Sequence, residues 1–275
     1  MEIKPIAYFR SPFPEKFGIP RQAGLAPTLR GRIVFEPEYR SADALRGLEG
    51  FDYLWLIWEF SANWTASASS GGSTASLRSA PPLASLRSAP VPPLTVPRVA
   101  WVEPPELAAP DSHFQATVRP PRLGGNRRVG VFASRSPFRP NPLGLSSVRL
   151  ESIDYEAKGS DGKPIGPVIN VLGADLMDGT PIYDIKPYVE YADSHPGVRS
   201  GFVDTTSWEP LEVIFPENAE RAGVDLDALK EILSLDPRPR YQDDPGKEYG
   251  MSFGGKEVRF RVDGKTLTVI SIESP

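Results

Sequence analysis

Proline and glycine, 31 and 24 of the 275 residues, interrupt this chain about once every five positions. Proline locks φ and has no N–H, so neither helix interiors nor central strands hold it well. Long helices are thereby excluded over most of the chain, and short strands joined by turns remain. Apolar runs bounded by turn residues predict strands at residues 3–8, 31–35, 51–60, 128–133, 147–155, 168–172 and 182–185. Their spacing is that of a barrel or sandwich. One short helix is predicted from Ser41 as N-cap, with Ala42, Leu45 and Leu48 on one face and Gly50 as terminator. A second unit begins near Trp208. It consists of a helix over residues 225–235, with Leu226, Leu229, Ile232 and Leu233 on one face, and a hairpin turning at Asp263-Gly264. The fold class expected is mainly β, with a larger strand assembly over residues 1–205 and a small α+β domain over 206–275.

Composition removes several chemistries. Cysteine is absent, so disulfides, thiolate metal sites and cysteine nucleophiles are excluded. Only His113 and His195 occur, which rules out a multi-histidine metal cluster, and no bound metal is expected. No apolar run approaches a membrane span, and nothing at the start of the chain resembles a signal peptide. A cytoplasmic protein without membrane contact is the expectation. Residues 66–97 are low in complexity, with Ala-Ser-Leu-Arg-Ser-Ala-Pro repeated at 75–81 and 84–90. Such a stretch cannot bury enough apolar surface to offset its ordering entropy, so residues 65–110 read as an insertion dispensable for folding.

Charge is segregated. The chain is net −4, yet residues 119–149 carry seven arginines and no lysine, aspartate or glutamate. Arginine offers forked donors to phosphate or carboxylate, and its plane stacks on bases, so this strip is suited to an anionic partner such as RNA. A solvated surface stripe is the alternative. Four stretches carry more polar or rigid residues than folding requires. They are Gly18-Ile19-Pro20-Arg21-Gln22-Ala23-Gly24; the arginine- and proline-rich run from Val118 to Gly144; Asp175-Leu176-Met177-Asp178-Gly179-Thr180-Pro181-Ile182-Tyr183-Asp184-Ile185-Lys186-Pro187-Tyr188 with Tyr191-Ala192-Asp193; and Leu235-Asp236-Pro237-Arg238-Pro239-Arg240-Tyr241. Period two puts Asp184 and Lys186 on one face of a strand, where a structural salt bridge is the alternative reading.

Taken together and in this order, these stretches resemble the bacterial TrmO family of S-adenosylmethionine-dependent tRNA adenine-N6 methyltransferases. The resemblance covers nearly everything except the insertion. It implies a β-barrel of the TrmO type in place of a doubly wound sheet, and no strand here leads into a Gly-x-Gly loop and helix. It also implies a homodimer with the cofactor near the subunit interface. Residue by residue, it implies cofactor contacts at Pro20, Arg21, Gln22, Arg135, Leu145, Asp175, Leu176, Met177 and Asp178. Ser61 and Ala62, where the family often has a polar pair beginning with His that contributes to the pocket, are further cofactor-contact positions that the resemblance implies. The substrate implied is threonylcarbamoyl-modified adenosine beside the anticodon of threonine tRNA, methylated on its exocyclic nitrogen. That urea-like nitrogen needs a base, and Asp184 is the candidate, with Lys186 and Tyr188 as orienting partners. Arg119, Arg122, Arg127, Arg128, Arg139, Arg238 and Arg240 are the candidate contacts to the anticodon arm. A non-catalytic tRNA-binding barrel is the alternative function.

Overall fold

The computed structural model describes residues 3–60, 116–120, 127–206, 208–238 and 244–275. The 65–110 insertion, Ser61, Ala62, Arg122 and Arg240 lie outside the described residues. In chain order the strands are β1 (Ala7–Arg10), β2 (Arg30–Phe35), β3 (Tyr53–Glu59), β4 (Thr117–Val118), β5 (Val129–Gly130), β6 (Leu143–Asp154), β7 (Val168–Leu172) and β8 (Pro181–Pro187). After β8 come α1 (Glu190–Asp193), β9 (Glu212–Ile214), α2 (Leu226–Ser234), β10 (Tyr249–Phe253), β11 (Lys256–Asp263) and β12 (Thr266–Glu273).

Six strands close on themselves in the order β1-β2-β7-β6-β3-β8, and β8 pairs back onto β1. All of these pairings are antiparallel. Period two sends alternate residues into the ring, so Phe9, Ile33, Leu54, Leu56, Trp58, Val148, Ile169, Val171 and Ile182 fill it. Two inward positions must be glycine. A Cβ on Gly31 would strike the Phe9 ring, and one on Gly144 the Trp58 indole, so each gap seats an aromatic side chain.

The second sheet runs β10-β11-β12-β9, with β9 parallel to β12. Helix α2 is held at its start by Asp225, whose carboxylate accepts the Ala228 N–H at 3.1 Å. Its face of Ala228, Leu229, Ile232 and Leu233 packs on Phe253, Val258, Phe260 and Leu267. That core also takes in Phe13, Ala26 and Leu29 from the long β1–β2 loop, with Phe13 edge-on to Phe253 at 5.4 Å.

Four expected elements differ, one of them the strand at 147–155, which begins already at Leu143 as β6. The strand at 3–8 begins only at Ala7, after Pro5, which has no N–H to give a ladder. The strand at 128–133 shrinks to β5, and Val131–Ala133 form a 3-10 turn whose Val131 carbonyl accepts from Ser134 and Arg139. The helix after Ser41 is two 3-10 turns, Ala42–Leu45 and Leu48–Gly50, separated by Gly47 at φ +88°. Ser41 caps neither through its side chain, although Leu45 still reaches the ring core as its spacing requires.

Candidate active site

The 11–29 loop is fastened along its length. Asp178 N–H donates to the Phe13 carbonyl, Gly254 N–H to Pro12, Gly24 N–H to Gly173, and Gly173 N–H to Leu29, all at 2.8–2.9 Å. Both the Thr28 N–H and its hydroxyl donate to Glu231 of α2. A loop this rich in proline and glycine, tied to the ring and to the second sheet, holds its side chains at fixed places. Pro20 is buried and Arg21 exposed, while Gln22 points back toward the 127–142 segment, where its carbonyl oxygen accepts from Arg135.

Beneath this pair lies Asp175. Its Oδ1 accepts the Ser146 hydroxyl at 2.5 Å, and Ser146 Oγ in turn accepts the Trp58 indole N–H at 3.0 Å. Burial pushes the Asp175 carboxyl up from the usual carboxylate range. The Ser146 hydroxyl, the residue's own N–H, the Arg135 guanidinium and the Ala23 N–H partly offset that shift. Three residues singled out in separate stretches, Gln22, Arg135 and Asp175, therefore meet in one place. Together they offer an amide, a guanidinium and a carboxylate, the donor and acceptor types that the carboxylate, ammonium and ribose hydroxyls of S-adenosylmethionine call for.

The neighbours of Asp175 behave differently. Leu176 is 1% exposed, and its side chain belongs to the ring core. Met177 gives its carbonyl to the Thr180 N–H and hydroxyl. Asp178 turns to the end of β1, accepting the Ser11 N–H at 3.1 Å and pairing with Arg10 at 3.5 Å. Its side chain closes a turn and does not join the Gln22–Arg135–Asp175 group.

A second group lies on the outward face of β6, β3 and β8. Leu145, Ile57 and Asp184 form one row across the three strands, and Ser147, Trp55 and Lys186 the next. A bulge at Ile57/Trp58 shifts the β3–β8 register and helps to turn Asp184 to this face. Lys186 Nζ lies 2.9 Å from Asp184 Oδ2, so the sequence-predicted pair is formed and both partners are open to solvent. Tyr188 packs against Trp55 at 5.7 Å and Tyr53 at 6.2 Å between ring centroids. Asp193 holds this end, accepting the Trp55 indole N–H at 3.0 Å and the Val189 N–H at 2.8 Å. Those bonds, the Val189 one first, hold its carboxyl below the usual range. Tyr183 is unsuited to proton abstraction near neutrality. Burial, and then its bond to Glu59, push its phenol up to about 12.

The arginines divide. Arg119, Arg127 and Arg128 are exposed on or beside the β4–β5 ribbon, where Arg128 also donates to Thr117. Arg139 is half-buried and serves its own segment through the Ser134 carbonyl at 2.7 Å. Arg238 departs from the expected RNA contact, because it is 7% exposed and grips Asp236 with two bonds at 2.9 and 3.1 Å. Sequence reasoning missed Ser146, Trp58, Trp55 and Ile57. The alternation in the strand at 51–60 could have flagged the last two as outward, but Ser146 has no local signal. Among the described residues no group of three or more His, Asp or Glu is placed to hold a metal, and no helix is long and apolar enough to cross a membrane.

This chain is similar to known proteins in sequence and in fold. Residues 8–87 and 105–194 match the model of the tRNA-methyltransferase O N-terminal domain, and residues 209–275 match that of the TrmO C-terminal domain. The chain is 32% identical to the tRNA (adenine(37)-N6)-methyltransferase of Escherichia coli (strain K12), covering 99% of this chain and 97% of that one. It is 34% identical to a Pseudomonas aeruginosa relative whose name places it among S-adenosylmethionine-dependent methyltransferases, over 94% of this chain and 91% of the relative. A crystal structure of TrmO from Pseudomonas aeruginosa superimposes with a TM-score of 0.66 at 26% identity, covering 100% of this chain and 98% of that chain.

Proposed function

The chain belongs to the tRNA-methyltransferase O family, S-adenosylmethionine-dependent enzymes that modify tRNA adenine, and on that premise we propose the finer substrate and the residues that act on it. The substrate is threonylcarbamoyl-modified adenosine next to the anticodon of threonine tRNA, and the atom methylated is its exocyclic nitrogen. The observation that carries the reading is the meeting of Gln22, Arg135 and Asp175 from three distant segments.

S-adenosylmethionine supplies an electrophilic methyl group on a sulfonium. Toward it, Arg135 and Gln22 act as donors, Asp175 as an acceptor, and Arg21 as a further cation on the same fixed loop. The exocyclic nitrogen is delocalised into a carbonyl and the purine, so it attacks only as its proton leaves. Asp184 takes that proton, Lys186 at 2.9 Å keeps the carboxylate oriented, and the Tyr188–Trp55 pair offers an aromatic surface to the base. Arg119, Arg127 and Arg128, with Arg122, bind anticodon-arm phosphates. Leu143, Leu145 and Tyr53 leave an exposed apolar face, which supports a homodimer whose second copy covers this side. Residues 1–205 form the methyltransferase domain and 206–275 the appended one, and the protein works in the cytoplasm beside its tRNA.

The test is Asp184→Asn. Cofactor and tRNA should still bind, while single-turnover methylation falls by about 100-fold or more, the size of a general-base contribution. Methylation at the parental rate would remove Asp184 from the role.

A further inference from the structure

Ser146 is 2% exposed, one of very few polar side chains buried among the described residues, and it stands inside the ring on β6, where apolar residues are the rule. Its two hydrogen bonds are directional. The Trp58 indole N–H can only donate, so it takes a lone pair of Ser146 Oγ at 3.0 Å, and the hydroxyl proton is thereby aimed at Asp175 Oδ1 at 2.5 Å. Trp58 cannot easily turn away. Its indole fills the space above Gly144 and packs against Phe60 at 4.3 Å between centroids. The chain from Trp58 through Ser146 to Asp175 thus fixes one carboxylate oxygen from within the ring, while the N–H groups of Ala23 and of Asp175 itself also reach this carboxyl, beside Gln22 and Arg135.

We propose that Ser146 is a positioning residue for the cofactor site, oriented by Trp58 and holding the Asp175 carboxylate in place for a donor group of S-adenosylmethionine. The proposal rests on the reading of Asp175 as a cofactor contact. A role in packing alone would be met equally well by an apolar side chain of the same size, whereas a hydroxyl that donates to Asp175 favours the charged carboxylate in a place where burial disfavours it. Among the groups that act on the Asp175 carboxyl, Arg135 is the charged one, and the Ser146 hydroxyl and the N–H groups of Asp175 and Ala23 are neutral donors. Loss of the Ser146 donor therefore lets Asp175 take up a proton at higher pH, and binding that needs the carboxylate fails correspondingly earlier on acidification.

The experiment is calorimetric titration of the full chain with S-adenosylmethionine between about pH 4.5 and 8, for the parent and for Ser146→Ala, Ser146→Thr, Trp58→Phe and Asp175→Asn. Ser146→Ala should weaken binding about tenfold at neutral pH and move the acid limb of affinity upward in pH. Ser146→Thr, which keeps the hydroxyl, should restore both. Trp58→Phe, which keeps the bulk and loses the N–H, should move the limb in the same direction by less. If Asp175→Asn binds like the parent, the reading of Asp175 fails and this proposal with it. If Asp175→Asn binds weakly but Ser146→Ala matches the parent in affinity and acid limb, the proposal alone is overturned. Should Ser146→Ala not fold, an unmoved acid limb in Trp58→Phe overturns it instead.

Discussion

Asp175, proposed above as a cofactor contact, is a side chain whose charged form burial opposes. Its carboxyl is raised by burial, so keeping it ionised near neutrality costs folding free energy, and that cost sets in as pH rises from the unfolded carboxylate value through the raised folded one. Asp175→Asn should therefore leave the thermal midpoint at pH 7 unchanged or higher while S-adenosylmethionine affinity falls, and any stability gain should vanish well below pH 4. Thermal melts at the two pH values check this, and a clear loss of stability at pH 7 would show that the carboxylate is structural. Arg21→Ala has a different signature. It should weaken cofactor binding by roughly 1 to 3 kcal/mol, the scale of a charge-assisted hydrogen bond, with methyl transfer partly recovered at saturating cofactor. Gln22, Arg135 and Asp175, which the structure brings together, each stood out in the sequence because each sits in a stretch whose proline, glycine and charge exceed what folding needs. Ser146 was not, since a serine in an apolar strand has no meaning until the strand opposite supplies Trp58 and the turn after β7 supplies Asp175.

Elements carry these residues with uneven fidelity. Strands β2, β3, β7 and β8 lie where apolar runs between turn residues put them, and helix α2 where its periodicity put it. The 127–142 segment was harder to read. The Val131 carbonyl of its 3-10 turn accepts from Ser134 and also from Arg139, whose side chain looks from sequence like one more RNA contact. Arg238 misled for the same reason, because its partner Asp236 lies at φ +53°, a backbone geometry that the residue types alone do not announce. The short segment from Val189 to Asp193 depends on one carboxylate. The Asp193 carboxyl lies below the usual range, so its stabilising contribution is complete above the ordinary carboxylate value and is lost as pH falls through the depressed one. Asp193→Ala should loosen the Trp55 indole at all pH values. A change in tryptophan emission and reduced methylation with an intact far-ultraviolet spectrum is the expected result, and parental emission would contradict it.

At the scale of the molecule, the two units share a core. Phe13, Ala26 and Leu29 come from the loop that also carries Pro20, Arg21 and Gln22, yet they pack against the second sheet. Phe13→Ala should cost about 3 to 5 kcal/mol and weaken cofactor binding beyond what lost stability explains, because it frees the loop. Removing residues 65–110 should instead preserve cooperative unfolding, and loss of cooperativity there would mean that the insertion packs. Affinity for tRNA should fall steeply with salt, and joint replacement of Arg122, Arg127 and Arg128 should flatten that slope in proportion to the phosphates released. The most direct measurement of the whole account is transfer of a labelled methyl group from S-adenosylmethionine to threonine tRNA carrying threonylcarbamoyladenosine, beside the same tRNA without that modification. The account predicts label on the modified adenosine and none on the unmodified transcript. Equal labelling of both, or label on neither while S-adenosylmethionine still binds, would contradict it.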